Sequence, residues 1–410
     1  MADSKEFFPD GVTEIDDWFY DTKVPTLSEL GKQYVLTDFG IMDDGRIYTN
    51  ELQALIDRVH SEGGGVIVVP AGTYMTGAVW FKQDVNLYLE KDGILKGSDD
   101  TEDYPVCDTR IEGECCKYFP ALINIEKCDG TVISGEGTID GNGLRSWKAF
   151  RQRRIWNPSC TNKDEQRARL IFISECRNIV VEGLTIQNSQ FWTNHLYRSD
   201  HIKYLNCRIL SPKEPVKAPS TDAIDIDGCT DVLIKGCYME VNDDAVALKG
   251  GKGPDAWELP GNAPNERILI EDCRYGFCFG CLTVGSESIH SKNIILRRTK
   301  ISESVNLLWL KMRPDTHQEY EYISVEDIEG TTTSFLNINP WTQFFDLKGM
   351  EKPEKSSAHH ISIKRCDIEC VIAYGVSTTH DYYELSDFHL EALNISAKQM
   401  GAEEYIRNLS

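Results

Sequence analysis

Short strand-like segments with a common pattern of apolar positions recur along most of the chain. Each has two apolar residues separated by one residue, then two spacers, a small residue or Cys, another spacer, and a last apolar residue. Clear examples are IVVEGLTI, IKYLNCRI, VLIKGCYM, ILIEDCRY, IILRRTKI and ISIKRCDI, the first beginning at Ile179 and the last at Ile361. Repeated strands joined by connections of variable length are typical of a β-solenoid, in which the strands keep register while the loops grow.

The segments show no 3.6-residue periodicity, which argues against a helical repeat. We therefore predict an all-β, single-domain, right-handed parallel β-helix of about ten rungs. One amphipathic helix is expected near the start, with Thr49 as its candidate N-cap and Gly63–Gly65 after its end. Its apolar face is formed by Leu52, Leu55, Ile56 and Val59. Such a helix would cap the open end of the first rung.

Composition narrows the classes of function. The 410 residues include 43 Lys and Arg against 65 Asp and Glu, a formal net charge of −22. So acidic a chain lacks the electrostatic footprint of a nucleic-acid binder, and we expect no nucleic-acid partner. No apolar run is long enough for a membrane span. The opening residues MADSKEFFPD have no basic and no apolar region, so we expect no signal peptide within this chain.

The cysteines follow the repeat. Of 14 in the chain, Cys207, Cys237, Cys273 and Cys366 each lie five residues after the first apolar position of their segment. Equivalent positions stack in a solenoid, so these four are predicted to be buried thiols in an interior ladder. No CxxC pair has a matching second pair or histidines, which argues against a zinc site.

Three aspartates form the main candidate site. Asp222 and Asp244 lie 22 residues apart, and each directly precedes an alternating strand, AIDI and AVAL. In a β-helix this spacing places them on consecutive rungs, about 5 Å apart, with Asp243 facing the pair. Crowded carboxylates raise one another's pKa, as a glycosidase requires of its general acid. A Ca²⁺ site or a solvated aspartate ladder would show the same spacing, and the residues alone leave these alternatives open.

Four motifs in sequence order extend this interpretation. PSTDAID, VNDDAVALKGG, FCFGCLTVGSES and LLWLKMRPDT resemble the signatures of glycoside hydrolase family 28, the polygalacturonase and rhamnogalacturonase type, in its bacterial branch. The resemblance implies a parallel β-helix that hydrolyses α-galacturonosyl bonds with inversion and needs no metal or other cofactor. It implies that Asp243 is the general acid, while Asp222 and Asp244 hold and deprotonate the attacking water.

Among the positions that depart from the family pattern, two change the chemistry of the site. Lys311 matches the lysine of the R-x-K signature and is implied to meet a substrate carboxylate, but the arginine is replaced by Trp309. The histidine of the G-H-G signature falls on Phe279, or on Gly280 if the alignment is shifted by one residue. These aromatic residues either stack on a sugar or belong to the core. Arg313 lies two residues beyond Lys311, so we expect it on the same strand face, where it would partly replace the lost cation.

Further substrate contacts are predicted at His195 and Arg198, which lie in the segment NHLY and directly after it, and at Lys249, which follows a catalytic strand. The long segments 140–170 and 252–266 would wall one end of the cleft and make the enzyme exo-acting. We also expect a basic patch from the arginines of the first segment together with the lysines of the site. These arginines are Arg145, Arg151, Arg153, Arg154, Arg167 and Arg169.

The sequence thus predicts an inverting glycoside hydrolase acting on rhamnogalacturonan or galacturonan. A lyase or epimerase on the same fold and a non-catalytic carbohydrate-binding relative are the alternatives. Residues 1–33 are predicted to be an N-terminal extension and residues 34–410 the β-helix catalytic domain. By the resemblance we expect a secreted or periplasmic protein, with a cytoplasmic location as the alternative, and a monomer.

Overall fold

The computed structural model describes residues 5–164, 167–379 and 381–409. Parallel strands coil around one apolar interior, and 29 of them form a single hydrogen-bonded system that folds into three sheets. The parallel β-helix predicted from the repeats is therefore confirmed, with about the predicted number of rungs. Within the described residues, no helix is both long and apolar enough to cross a membrane.

The first sheet carries most of the repeat segments found in the sequence. Its strands are Gln33–Val35, Gly65–Val69, Val85–Leu89, Val132–Gly135, Arg177–Glu182, Asp200–Leu205, Thr230–Lys235, Asn265–Glu271, His290–Ile301, Glu319–Pro340, Ser356–Lys364 and Tyr383–Glu391.

The second sheet consists mainly of short strands. They are Gly72–Thr76, Gly93–Gly97, Thr138–Asp140, Thr185–Gln187, Arg208–Leu210, Tyr238–Glu240 and Arg274–Tyr275. The end of His290–Ile301, the middle of Glu319–Pro340, the first part of Asp367–Val376 and the strand Asn394–Gly401 follow.

The third sheet carries the candidate site. Its strands are Val79–Phe81, Ile123–Glu126, Ile171–Ser174, Asn194–Tyr197, Ile224–Asp227, Val246–Lys249, Gly280–Val284 and Asn306–Met312, and then the last parts of Glu319–Pro340 and Asp367–Val376.

In the third sheet, alternate side chains along each strand point to the core and to the outer face, and the candidate site lies on the outer face. Along one ladder the apolar residues Ile224, Val246, Leu282 and Leu308 are in register and fully buried. The neighbouring ladder runs through Asp225, Ala247, Thr283 and Trp309 to Asn337. Because successive side chains point to opposite faces, this second ladder faces away from the interior. Asp225, Ala247 and Thr283 are nevertheless buried, whereas Trp309 and Asn337 are partly exposed.

In the described part of the chain, four α-helices accompany the strands: α1 (Asp17–Tyr20), α2 (Thr49–Ser61), α3 (Leu144–Trp156) and α4 (Glu403–Arg407). Short 3₁₀ turns cover Leu27–Glu29, Leu36–Phe39 and Thr101–Asp103. The strands Cys107–Ile111 and Glu114–Tyr118 form an antiparallel hairpin outside the coil. Helix α3 and this hairpin were not predicted, and both border the candidate site.

Helix α2 is the predicted cap. Its four apolar residues are buried in the main core, and it contacts early strands of all three sheets. Thr49 is the first helical residue and not the N-cap, a position that Tyr48 takes. The Thr49 hydroxyl instead accepts a hydrogen bond from the Gly77 amide at 2.6 Å, which fastens the helix to the second coil.

The described part of the N-terminal extension lies against the outside of the first sheet. Phe8, Ile15 and Phe19 form an apolar cluster with four outward residues of that sheet: Leu205, Leu233, Leu269 and Ile295. The division into residues 1–33 and 34–410 stays a prediction.

The cysteine ladder has the predicted position. Cys207, Cys237 and Cys273 follow three first-sheet strands that are in register, and all three are buried. Cys366 is buried at the equivalent turn of a later coil.

Candidate active site

Two neighbouring strands of the third sheet position the three aspartates. Ile224–Asp227 and Val246–Lys249 pair in register, and Asp222 and Asp244 each precede their strand by two residues. The Ala223 amide donates to the carbonyl of Asp244 at 2.9 Å, which continues the parallel pairing into the two turns. The predicted stacking of Asp222 on Asp244 is therefore present.

The three carboxylates converge. Asp222, Asp243 and Asp244 each offer an oxygen, and these oxygens lie within 4.8 Å of one another. Asp243 is held by its neighbours: its Oδ1 accepts from the Asp244 amide at 3.1 Å, and its carbonyl accepts from the Phe279 amide at 2.9 Å. These contacts fix the direction in which the Asp243 carboxyl points.

Burial and mutual repulsion shift the titration of this cluster. Loss of hydration together with the Asp244 carboxylate raises the pKa of Asp243 to about 6. Burial, reinforced by the charges of Asp225 and Asp243, raises the pKa of Asp222 well above its ordinary value. Carboxyl groups this close titrate together, so the cluster holds a proton under conditions in which an isolated aspartate is ionised.

Lys311 reaches the cluster as the motif implied. Its Nζ lies 2.8 Å from Asp244 Oδ2, and only 8% of its side chain is exposed. The same ammonium lies 4.1 Å from the ring centre of Trp309 and 4.8 Å from that of Trp341. Lys311 is therefore enclosed by a carboxylate and two aromatic rings.

Two acidic residues that were not predicted from the sequence, Asp225 and Glu287, belong to the site. Asp225 is fully buried, and neither of its carboxylate oxygens has a hydrogen-bond partner among the described residues. Lys249 Nζ lies 3.8 Å from Asp225 and 3.3 Å from Glu287. Burial disfavours the charged lysine, but Glu287 and Asp225 outweigh it and raise the pKa of Lys249. The available signal for Asp225 was the alternation of AIDI, which places it on the outward face.

His195 and Arg198 do not line the pocket. His195 is completely buried behind it, with Nδ1 2.7 Å from Arg169 Nη1 and Nε2 3.1 Å from Asp227 Oδ2. The arginine can only donate, so Nδ1 accepts and Nε2 carries the hydrogen. Burial lowers the pKa of His195 to about 4. Arg198 is exposed and donates to the carbonyl of Pro260 at 2.9 Å.

Arg313 does not replace the lost guanidinium. It is buried, and its Nε and Nη2 each donate to Asp315 at 2.7 Å. Its Nη1 donates to the carbonyl of Gln343 at 3.0 Å. Arg313 thus fastens the loop that brings Gln343 and Phe344 to the pocket, and its own charge is neutralised.

The aspartates lie in a cavity of about 470 Å³. The hairpin contributes Glu112, helix α3 contributes Phe150, Arg151 and Arg154, and the segment 341–344 forms another wall. The lining also includes Trp192, Lys217, Lys249, Phe279, Trp309 and Lys311. The predicted lysine and aromatic contacts therefore meet at the aspartates.

Only some of the arginines of segment 140–170 line the cavity. Arg151 and Arg154 line the cavity, whereas the buried Arg167 lies between the rings of Phe150 and Phe191 and donates to a backbone carbonyl. Arg145 pairs with aspartates outside the cavity, at Asp99 and Asp100. The predicted basic patch is thus smaller than the sequence cluster.

A cation at the three carboxylates would compete with charges already there. Ca²⁺ takes oxygen ligands, and Asp222, Asp243 and Asp244 are the candidate donors. The Lys311 ammonium, however, already contacts Asp244, and the carboxylates also interact with Lys249. This charge balance suits protonation chemistry better than ion binding.

Comparison with known proteins supports the same interpretation. A probable polygalacturonase of Vitis vinifera is 30% identical over 245 residues, 57% of this chain and 47% of that protein. An exo-poly-alpha-D-galacturonosidase of Dickeya chrysanthemi is 26% identical over 329 residues, 68% of this chain and 51% of that protein. The chain thus spans about half the length of these curated relatives.

Among solved structures, the exopolygalacturonase of Thermotoga maritima has the same fold. It superposes with a TM-score of 0.70 at 21% identity and covers 92% of each chain. The model of the glycosyl hydrolases family 28 matches residues 68–366, which include all four motifs and the three aspartates. The chain belongs to glycosyl hydrolase family 28.

Proposed function

We propose that this protein is an inverting glycoside hydrolase that removes terminal α-linked galacturonic acid from pectic saccharides. The observation that carries the proposal is the convergence of Asp222, Asp243 and Asp244 within 4.8 Å in a cavity that also contains Lys311. Family membership and the names of the relatives agree with this activity.

Asp243 is the proposed general acid. A pKa of about 6 leaves its carboxyl largely protonated in mildly acidic solution, so it can donate to the glycosidic oxygen as the bond to C1 breaks. Asp222 and Asp244 hold the water that attacks C1, and the proton that this water loses passes to their carboxylates. The Lys311 ammonium stabilises the negative charge that remains on Asp244.

The stereochemistry rests on the family resemblance. Inverting glycosidases typically separate their two carboxyl groups by about 6.5–9.5 Å, and retaining enzymes by about 5 Å. The 4.8 Å is an upper limit on the distances between one oxygen of each carboxylate, so it does not distinguish these two classes. The anomer that is released first distinguishes inversion from retention, because inversion of an α-linkage gives the β-anomer.

The walls of the cavity support exo action. The tip of the hairpin is fixed where Glu112 accepts from Asn162 at 2.9 Å and Gly113 packs on Glu287. With helix α3 and the segment 341–344, it encloses the end of a chain instead of leaving a groove open on both sides. We also propose a monomer that acts outside the cytoplasm, with the pectic saccharide as its partner and no nucleic acid.

The test is product analysis with galacturonan and rhamnogalacturonan oligosaccharides. The wild type should release galacturonate as the β-anomer, observed by proton NMR, without the absorbance of an unsaturated uronate and without inhibition by EDTA. Asp243→Asn should be inactive, whereas Asp129→Asn, the same change at an exposed position, should be fully active. Unsaturated products or loss of activity with EDTA would indicate a lyase instead.

A further inference from the structure

A second groove continues from the catalytic cavity along the outward face of the third sheet. It has a volume of about 790 Å³ and shares Phe279 and Trp309 with the cavity. We propose that this groove binds a neutral sugar on the leaving-group side, so that the preferred substrate is galacturonic acid linked to a neutral saccharide. This inference rests on the proposed hydrolase function and specifies its substrate.

The groove is electrically neutral. Among the described residues that line it, none carries a charge at neutral pH, although 26% of all residues in the chain are charged. The cavity beside it is lined by Arg151, Arg154 and Lys217 as well as by the catalytic carboxylates. At the junction with the cavity, Lys217 Nζ lies 4.6 Å from the ring centre of Phe279. Beyond this junction, a galacturonate would find no cation among the described lining residues to pair with its carboxylate, and desolvating an unpaired charge is costly.

Asparagines cover the floor of the groove. Asn337 donates to Asn306 at 2.8 Å, Asn306 donates to the Phe279 carbonyl at 3.0 Å, and Asn339 donates to the Gly375 carbonyl at 3.0 Å. These bonds orient the amides, and each amide has both donor and acceptor capacity. Oriented neutral amides suit the hydroxyl groups of an uncharged sugar.

Trp309 stands where the family signature has an arginine, so an apolar ring takes the place of a charged group. Its ring is partly exposed, lies in the outward ladder next to Asn337, and meets Trp341 edge to face at 5.4 Å. Arginine recognises carboxylates through paired hydrogen bonds, whereas an indole ring offers a flat apolar surface. The nearby Lys311 offers no substitute cation, because it is buried against Asp244.

The position of the general acid indicates how the substrate is oriented between the cavity and the groove. Phe279, at the junction of cavity and groove, donates its amide to the carbonyl of Asp243 at 2.9 Å. A general acid protonates the leaving oxygen, so the leaving group lies on the acid's side of the cleaved bond. The galacturonate ring then occupies the walled cavity, and the neutral remainder extends into the open groove.

The first test compares two disaccharides that differ in the leaving sugar: digalacturonate and galacturonic acid α-linked to a neutral deoxyhexose. We expect kcat/KM to be at least about tenfold higher for the neutral leaving group. Equal values, or a preference for digalacturonate, would overturn the neutral-groove proposal while the hydrolase function stands. Cleavage of neither disaccharide would count against the proposed function itself, and the inference would fall with it.

The second test changes the charge of the groove. Trp309→Arg and Asn337→Lys should each raise kcat/KM for digalacturonate relative to the neutral-leaving-group disaccharide by about tenfold. Asn394→Lys, on an exposed strand of the last coil, is the matched control and should leave the ratio unchanged. An unchanged ratio in both groove variants would show that the leaving sugar does not occupy the groove.

Binding gives a readout independent of turnover. In the Asp243→Asn protein, calorimetric titration with the methyl glycoside of the neutral sugar should show saturable binding that Asn337→Lys weakens. Methyl galacturonate should bind independently of Asn337, because it occupies the cavity. Weakening of methyl galacturonate alone would overturn the assignment of the two sites.

Discussion

At the scale of single residues, Asp243, the proposed general acid, is expected to decide the pH dependence of the reaction. Its carboxyl must be protonated to act as the acid, and its pKa is raised to about 6 by burial and by Asp244. We therefore expect kcat/KM to fall as the pH rises through about 6. Asp243→Asn cannot supply the proton and should lower kcat by about 10²–10⁴-fold. Rates measured from pH 4 to 8 check both expectations, and a wild-type rate that rises through pH 6 would contradict the assignment.

Lys311 provides a second test at this scale. Its positive charge favours the ionised form of Asp243 and so opposes the rise in that pKa. In Lys311→Met, the pKa of Asp243 should rise further, and the alkaline limb of the pH–rate profile should move to higher pH. The maximal rate should fall, because Asp244 loses its 2.8 Å ion pair.

The control is Lys300→Met, which removes an exposed lysine paired with Glu329 on the outside of the coil. Its pH profile should match that of the wild type. A shift of the alkaline limb to lower pH in Lys311→Met would contradict the electrostatic role of Lys311.

The convergence of the three aspartates could be predicted from the sequence because spacing along a strand repeat translates directly into stacking. The contacts of His195 could not be predicted from the sequence. Alternation correctly places it in the outward ladder, in register with Asp225. Its neighbour Arg169, however, lies outside the strand repeat, and together with Asp227 it holds the buried imidazole away from the cavity. Arg313 failed as a substrate contact for a similar reason, because Asp315, two residues later, pairs with it.

At the scale of elements, the hairpin is the wall of the cavity that a single substitution at its tip can displace. Gly113 at its tip has φ of +75°, and a Cβ there would lie 2.8 Å from Glu287 Cβ. Gly113→Ala should displace the tip from Glu287, raise KM for short substrates several-fold, and allow longer products to appear. Chromatography of the products together with the kinetics measures both effects.

Gly130→Ala is the matched control for the hairpin. Gly130 also has a positive φ, +87°, but a Cβ there would meet nothing within 4 Å. Both variants carry a similar backbone cost of about 1 kcal/mol, and only Gly113→Ala adds the close contact with Glu287. If both change KM equally, strain and not the wall is responsible.

The capping helix α2 gives a prediction about stability. Ile56 is fully buried between the helix and the first coils. Ile56→Ala should lower the free energy of unfolding by about 2–5 kcal/mol, because it leaves a cavity in the core. Asn50→Ala, at an exposed position of the same helix, should change it by less than about 1 kcal/mol. Urea denaturation compares the two, and equal effects would contradict the capping role.

Helix α2 was predictable and helix α3 was not, for a physical reason. Four apolar residues of α2 recur on one face, so its sequence shows the helical period. Helix α3 reads LRSWKAFRQRRIW and buries only Ser146, Trp147 and Phe150. It packs mainly through contacts of its polar side chains with the rim of the cavity, and these leave no apolar stripe. The hairpin likewise lies outside the repeat that revealed the other strands.

At the scale of the whole molecule, the active site is expected to reduce stability. A carboxyl whose pKa is higher in the folded than in the unfolded chain binds its proton more tightly when folded. Stability is therefore lost as the pH rises from the unfolded value, and the loss is complete above the folded value. For Asp243 this window runs from the ordinary 3.8 to about 6. The shift corresponds to about 3 kcal/mol.

Asp243→Asn removes this cost while keeping the shape of the side chain. The inactive variant should thus be more stable than the wild type at pH 8, and the difference should shrink towards zero near pH 4. Thermal unfolding of both proteins at pH 4, 6 and 8 measures it. Asp129→Asn, which changes an exposed aspartate, should show no such pH-dependent gain. A variant less stable than the wild type at pH 8 would mean that the Asp243 carboxylate is stabilised by its surroundings, contrary to the crowding of Asp222, Asp225 and Asp244 around it.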